Sequence, residues 1–348
     1  MAEILGLGLT HAPPLMFPAD ILRPKLVMKD PRQPERLRDP SRWRPEMKAQ
    51  WGDDEGAAYA ETHRQEMIDN FRWLRSELDQ FAPDLVVILG DDQYENFQED
   101  CVPAFQVCAW EELEAKPYEG KDRPNSWNEP ASTEFRFQGD QAAGKQLAVE
   151  LLEAGFDIAY ALRALRPGIP HSFLNTLLFL DWDRRGFEYP VLPFATNCYG
   201  RTLVHFRGRG LDDLSQVPTD EQLVPPGPQP WRCFDLGRQI ARSLDAMPGR
   251  IALIASASWS HAFNSPSTSY FHPNVEADRA YAEALIEARY EFWRDKTTAD
   301  LEAGGQQELL NWHLLVGAMS ELDRRPSEVR FMESWITNAN KTFAVFHP

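Results

Sequence analysis

His11, the run Asp91-Asp92-Gln93-Tyr94-Glu95, Asn197 and the segment Ser258-Trp259-Ser260-His261 share one property: each sits at the end of a short apolar run. Those runs are Ile4–Leu9, Leu85–Leu89, Pro190–Asn197 and Arg250–Ala257. In an α/β fold, ligands bind in the crevice at the carboxyl ends of the strands. Imidazoles, carboxylates and an amide gathered there suit metal binding and proton transfer. Taken singly, each has a plainer reading. Asp91 and Asp92 can cap a helix, His261 can cap its loop, and His171, after Pro170, can open a helix. His63, His205, His272, His313 and His347 read as structural.

The elements that must position these groups follow from periodicity. Leu85–Leu89 is a continuous β-branched and leucine run, the pattern of a strand buried on both faces. Helical spacing marks Ala57–Leu78, Gly139–Gly155, Cys233–Asp245, Val275–Asp295 and Gln306–Leu322, with an apolar, helix-compatible stretch at His171–Leu180. A further strand is expected over Asp157–Leu162. Strands alternating with helices imply an α/β fold: a single domain with a central, mostly parallel or mixed sheet flanked by helices. Residues 17–56, 96–132 and 211–231 lack a clean period and read as long loop insertions.

Composition narrows the partners. A net charge of −17 argues against nucleic acid and anionic membrane. No apolar run approaches the length of a membrane span, and the N-terminus lacks the basic segment of a signal peptide, so the cytoplasm is the expected compartment. Cys101, Cys108, Cys198 and Cys233 are scattered without a CxxC pair and read as buried free thiols rather than disulfides or a zinc site. Eleven Trp and 20 Phe suit a packed core and an aromatic-lined pocket.

Four segments together resemble the class III extradiol dioxygenases, the family of the protocatechuate 4,5-dioxygenase catalytic subunit, from His11 to about Met319. They are Gly8-Leu9-Thr10-His11-Ala12-Pro13, Gly90-Asp91-Asp92-Gln93-Tyr94-Glu95-Asn96-Phe97, Ser258-Trp259-Ser260-His261, and Gln307-Glu308-Leu309-Leu310-Asn311-Trp312 followed by Gly317-Ala318. The resemblance implies one catalytic domain over residues 1–348 that opens a dihydroxylated aromatic ring, catechol-, gallate- or hydroxypyridine-like, with O2. It implies Fe(II) on two histidines and one carboxylate, leaving positions for both diol oxygens and for O2. His11 and Glu308 match two of those ligands. Gln93 stands where the family has its second metal histidine. A subgroup resembling the 3-O-methylgallate dioxygenases carries the same Gly-Asp-Asp-Gln motif. Gln93 can ligate through its amide oxygen, or Asp92 or Glu95 can take the position. His261 matches the acid/base histidine and His171 a second pocket histidine. A homo-oligomer is a further expectation.

Tyr94, Asn197, Trp259 and Tyr199 follow strand ends and are expected to line the substrate pocket, and Arg201, Arg42 and Lys48 are candidates to pair with a substrate carboxylate. Two other readings stay open. A site rich in Asp91, Asp92 and Glu308 suits Mg2+ or Mn2+ and a redox-inert hydrolase or lyase. Loss of the metal histidine suits a metal-free scaffold subunit.

Overall fold

The computed structural model describes residues 2–18, 22–121, 123–201 and 219–348. His205 and the first part of the 211–231 loop lie outside the described residues. The chain runs β1 (Glu3–Leu9), α1 (Arg23–Lys29), α2 (Glu35–Arg38), α3 (Pro45–Trp51), α4 (Ala57–Phe81), β2 (Leu85–Asp91), β3 (Phe105–Cys108), β4 (Glu112–Ala115), β5 (Phe135–Gln138), α5 (Gln141–Glu153), β6 (Ala159–Ala161), α6 (His171–Leu180) and β7 (Val191–Thr196). It continues with α7 (Pro230–Asp245), β8 (Arg250–Ser256), α8 (Val275–Ile286), α9 (Tyr290–Arg294), α10 (Thr298–Gly304), α11 (Leu309–Glu321), β9 (Glu328–Met332) and β10 (Lys341–Phe346).

Eight strands form one sheet in the order β6-β3-β7-β2-β8-β1-β10-β9, and β4 pairs with β5 in a separate hairpin. The inner pairs β7/β2, β2/β8 and β8/β1 are parallel, whereas β10 and β9 run antiparallel beyond β1. The register brings Leu9 beside Ser256 and Asp91 beside Thr196, so four strand ends finish at one edge of the sheet.

Side-chain alternation assigns the two faces. Leu85, Val87 and Leu89 of β2 pack with α5, α7, α8 and α11 on one face; Val86 and Ile88 pack with α4 and α6 on the other. This two-sided burial is why the central strands read as unbroken apolar runs. Helices α7 and α11 touch backbone to backbone. A Cβ at Gly237 would lie 2.0 Å from the carbonyl oxygen of Leu314, and one at Gly317 would lie 2.1 Å from that of Phe234. Gly317, part of the C-terminal segment that resembles the dioxygenases, is therefore required by packing.

Several elements differ from the sequence expectation. The 17–56 stretch is not a bare loop: α1, α2, α3 and the turn before α3 bury Val27, Leu37, Trp43, Met47 and Trp51 in a small cluster of their own with Trp335 and Ile336. Each helix has only 4 to 7 residues, too few turns for a 3.6-residue period to show. The 96–132 stretch contributes β3 to the main sheet and β4 to the hairpin. The expected helix over Val275–Asp295 is broken where Ala288 takes a left-handed conformation (φ 55°), and it resumes as α9. All four cysteines are free, but Cys101 is exposed rather than buried. Among the described residues no helix is long and apolar enough to cross a membrane.

Candidate active site

His11 lies two residues past β1, with its ring 1% exposed. Its Nδ1 is 3.0 Å from Ser256 Oγ. That hydroxyl also meets the carbonyl of Ser172 at 3.1 Å and the hydroxyl of Thr176 at 2.6 Å, and giving its proton to either leaves a lone pair for the His11 Nδ1 proton. With Nδ1 protonated, Nε2 carries the free lone pair that a metal ligand needs. Burial and the neighbouring His171 and His261 hold the His11 pKa well below its ordinary value. Nε2 points at Asp91 Oδ1 (3.8 Å) and Glu308 Oε2 (3.5 Å).

Asp91 is the last residue of β2 and is fully buried. Asn311 Nδ2 reaches its Oδ1 at 3.3 Å, whereas Oδ2 has no hydrogen-bond partner. Burial pushes its pKa up to about 7. Glu308 stands at the N-terminus of α11. Its Oε2 accepts the main-chain N–H of Ser258 at 3.0 Å, and its Oε1 accepts the hydroxyl of Tyr199. Burial, then the charge of Asp91, raises Glu308 well above the usual carboxylate range.

His11, Asp91 and Glu308 thus offer three buried ligand atoms that all lie within 4.8 Å of one another. Two desolvated carboxylates beside a neutral imidazole are unfavourable without a counter-charge. A divalent cation supplies one, and the unpartnered Asp91 Oδ2 supplies a vacant donor. The residues present fit a metal ion.

The second position in this group comes from Asp91, not from Asp92 or Glu95. The Asp92 carboxylate is occupied by the N–H groups of Glu95, Asn96 and Phe97, each at 2.9 Å. Glu95 is occupied by His171, accepting its main-chain N–H at 3.0 Å and meeting its Nδ1 at 2.6 Å. Gln93 gives its main-chain N–H to Glu95 and lines a cavity of about 420 Å3 beside His171.

Two further histidines flank the group. His261 Nε2 is 3.3 Å from Glu308 Oε1, and its Nδ1 is buried without a partner. Burial, aided by Lys341, lowers its pKa to about 3, so its ring is neutral. The His171 ring meets that of His11 edge-on at 5.0 Å. Burial opposes charge on His171, but Glu95 outweighs it and lifts the pKa to about 9. One neutral and one protonated imidazole therefore border the same centre. The 420 Å3 cavity is walled by Pro13, Met16, Phe17, Ile169 and Leu174, with Gln93, His171 and Lys121 among its polar residues. A second cavity of about 30 Å3 lies between His261, Ser258 and Lys341.

The expected pocket residues fare unevenly. Tyr199 is at the centre, on Glu308. Tyr94 instead turns outward in a left-handed conformation (φ 67°) and donates to Glu99. Asn197 closes a turn onto the N–H of Gly200. Trp259 is buried against Trp293 and Trp312, because alternation past the strand end sends it to the core face. Arg201 pairs with Glu302, Arg42 with Asp39, and Lys48 with the carbonyl of Ser41. Lys121, Lys341 and Asp278 carried no sequence signal: a lone lysine in an irregular stretch, one in a strand, and an aspartate inside a helix.

Fold and site define an α/β protein with a buried His-Asp-Glu group at the carboxyl ends of parallel strands, flanked by two histidines. Residues 221–344 match the family described as catalytic LigB subunit of aromatic ring-opening dioxygenase. The match includes His261 and Glu308. Two relatives, both called 2,3-dihydroxyphenylpropionate/2,3-dihydroxicinnamic acid 1,2-dioxygenase, are similar to the chain. The Comamonas testosteroni protein is 27% identical over 201 residues, 58% of this chain and 50% of the relative. The protein of Photorhabdus laumondii subsp. laumondii is 24% identical over 219 residues, 63% of this chain and 54% of the relative. The chain spans about half the length of the curated relatives it matches.

Proposed function

We propose that this protein is an Fe(II)-dependent extradiol-type dioxygenase, which opens a dihydroxylated aromatic ring and incorporates both atoms of O2. The observation that carries the reading is the buried group His11, Asp91 and Glu308 between a neutral and a protonated histidine, in a chain whose residues 221–344 match the LigB family. His11, Asp91 and Glu308 hold the metal, and Gln93 lies at the substrate side. A bound Fe(II) supplies the electrons that make O2 reactive and the charge that favours an ionised diol.

The chain's own residues do the rest. The apolar walls of the 420 Å3 cavity seat the ring with its diol edge toward His171, whose own ring meets that of His11. Neutral His261 accepts a phenolic proton; protonated His171, held on Glu95, returns one to the opened product. Two imidazoles whose environments push their pKa values apart divide the acid and base roles. The two relatives are named for aromatic acids. Lys121, whose ammonium lies 5.6 Å from the centre of the Phe17 ring at this cavity, offers a counter-charge to such an acid.

The test is iron content and O2 consumption after reconstitution with Fe(II). His11→Ala, Asp91→Asn and Glu308→Ala each lose iron while remaining folded. Gln93→Ala keeps it, and His261→Ala keeps iron but loses turnover by about a hundredfold or more, the usual scale of a general acid–base group. Retention of iron by Asp91→Asn together with its loss in Gln93→Ala would move the second ligand to Gln93. A second reading is favoured by the donor set itself: two carboxylates and one imidazole suit Mg2+ or Mn2+ and a redox-inert hydrolase or lyase. Divalent-metal binding with no O2 consumption on any catechol, gallate or dihydroxypyridine would select it.

A further inference from the structure

Asp278, in the first turn of α8, is fully buried and lies outside the His11, Asp91 and Glu308 group. Every donor on it is neutral. Oδ1 accepts Gln306 Nε2 at 2.6 Å. Oδ2 accepts Asn340 Nδ2 at 2.7 Å and the hydroxyl of Ser260. The main-chain N–H of Ser260 is shared between both oxygens at 3.3 and 3.2 Å.

These donors are not scattered. Ser260 immediately precedes His261, and Gln306 lies two residues before Glu308. Asn340 belongs to the turn that enters β10; its carbonyl accepts the N–H of Trp259 at 3.0 Å, and its Oδ1 accepts that of Ser334 at 2.8 Å. The same segments are joined again by His261 N–H to Gly305 (2.7 Å) and by Ala262 N–H to Asn338 (2.7 Å). One carboxylate therefore gathers the segment carrying the acid/base histidine, the segment carrying the metal carboxylate, and the strand that backs both.

A buried carboxylate without a cation is costly to stability, and a neutral side chain of similar size would usually be cheaper. A charge retained at such a place needs a reason in the arrangement it enforces. Its oxygens accept from three residues at once, which a neutral amide cannot do unless one of those donors reorients. We propose that Asp278 is a positioning residue of the active site: by holding Ser260 and Gln306 on one carboxylate it sets His261 and Glu308 at their 3.3 Å separation. This rests on the reading of His11, Asp91 and Glu308 as the metal centre.

The experiment compares the wild-type chain with Asp278→Asn. Mn(II) affinity is read by electron paramagnetic resonance, and kcat and KM by O2 uptake with a catechol on iron-loaded enzyme. Asp278→Asn weakens Mn(II) binding and lowers kcat by about tenfold to a hundredfold, the range for residues that orient metal ligands, while KM changes little. Undiminished Mn(II) affinity and kcat in folded Asp278→Asn would overturn the proposal. Should Asp278→Asn fail to fold, Ser260→Ala, which removes one donor, decides by the same readouts: a loss of Mn(II) affinity and kcat supports the proposal and their retention overturns it. A wild-type chain that binds Mn(II) yet consumes no O2 overturns the dioxygenase reading alone, because the Mn(II) affinities still decide the positioning role.

Discussion

His261 and His171 have the same side chain and opposite charge states. Burial keeps one neutral, and Glu95 keeps the other protonated. Sequence placed both near the centre but could not assign these states, because neither the partner of His171 nor the depth of His261 follows from spacing. The same limit explains Asp91. A run of polar residues after a strand was legible, but which of Asp91, Asp92 and Gln93 points inward depends on where the strand stops. It stops at Asp91, and alternation then sends the next carboxylate elsewhere, where it caps the following turn. Lys121 supplies the prediction at this scale. In Lys121→Met, KM for a catechol bearing a carboxylate rises by about fivefold, the worth of roughly 1 kcal/mol expected of an exposed ion pair. KM for an uncharged catechol stays unchanged. Equal effects on both, measured side by side by O2 uptake, would remove Lys121 from substrate recognition.

At the scale of elements, the strands that carry the site were legible because they are buried on both faces and their apolar runs are unbroken. Those missed have other causes. β3 is only 4 residues long. β9 is half-exposed at the sheet edge, and β10 follows a polar turn that masks its start. Yet β10 matters to the site, since the turn before it brings Asn340 to Asp278. The titration of Asp278 reports on this junction. Burial lifts its pKa to about 6, above the roughly 3.9 of an exposed aspartate. The folded chain then holds that proton more tightly than the unfolded chain, and the contribution to stability falls as pH rises through that window. Between pH 4 and 6, therefore, the melting temperature of the wild-type chain declines relative to that of Asp278→Asn. A constant difference between the two across that range would show that Asp278 ionises as it does in the unfolded chain.

At the scale of the whole molecule, the parallel inner strands deliver their carboxyl ends to one edge, and the long connections cover it. The α/β class was readable from strands alternating with helices, and the convergence of His11, His261 and Glu308 from motifs spread over most of the chain. The internal order of the insertions was not, because their helices are too short to show a period and gain burial only against distant residues such as Trp335. The net charge of −17 is no obstacle to a neutral diol, and under the proposed function an acidic substrate would depend on local cations such as Lys121.

The most direct measurement is turnover under 18O2 by protein purified without oxygen and reconstituted with Fe(II), with the product analysed by mass spectrometry across catechols, gallates and dihydroxypyridines. The account predicts a ring-opened product carrying two atoms of label, formed by the wild-type chain and not by Asp91→Asn or Glu308→Ala. An iron-loaded chain that consumes no O2 on any of these substrates, or a product without label, would contradict it.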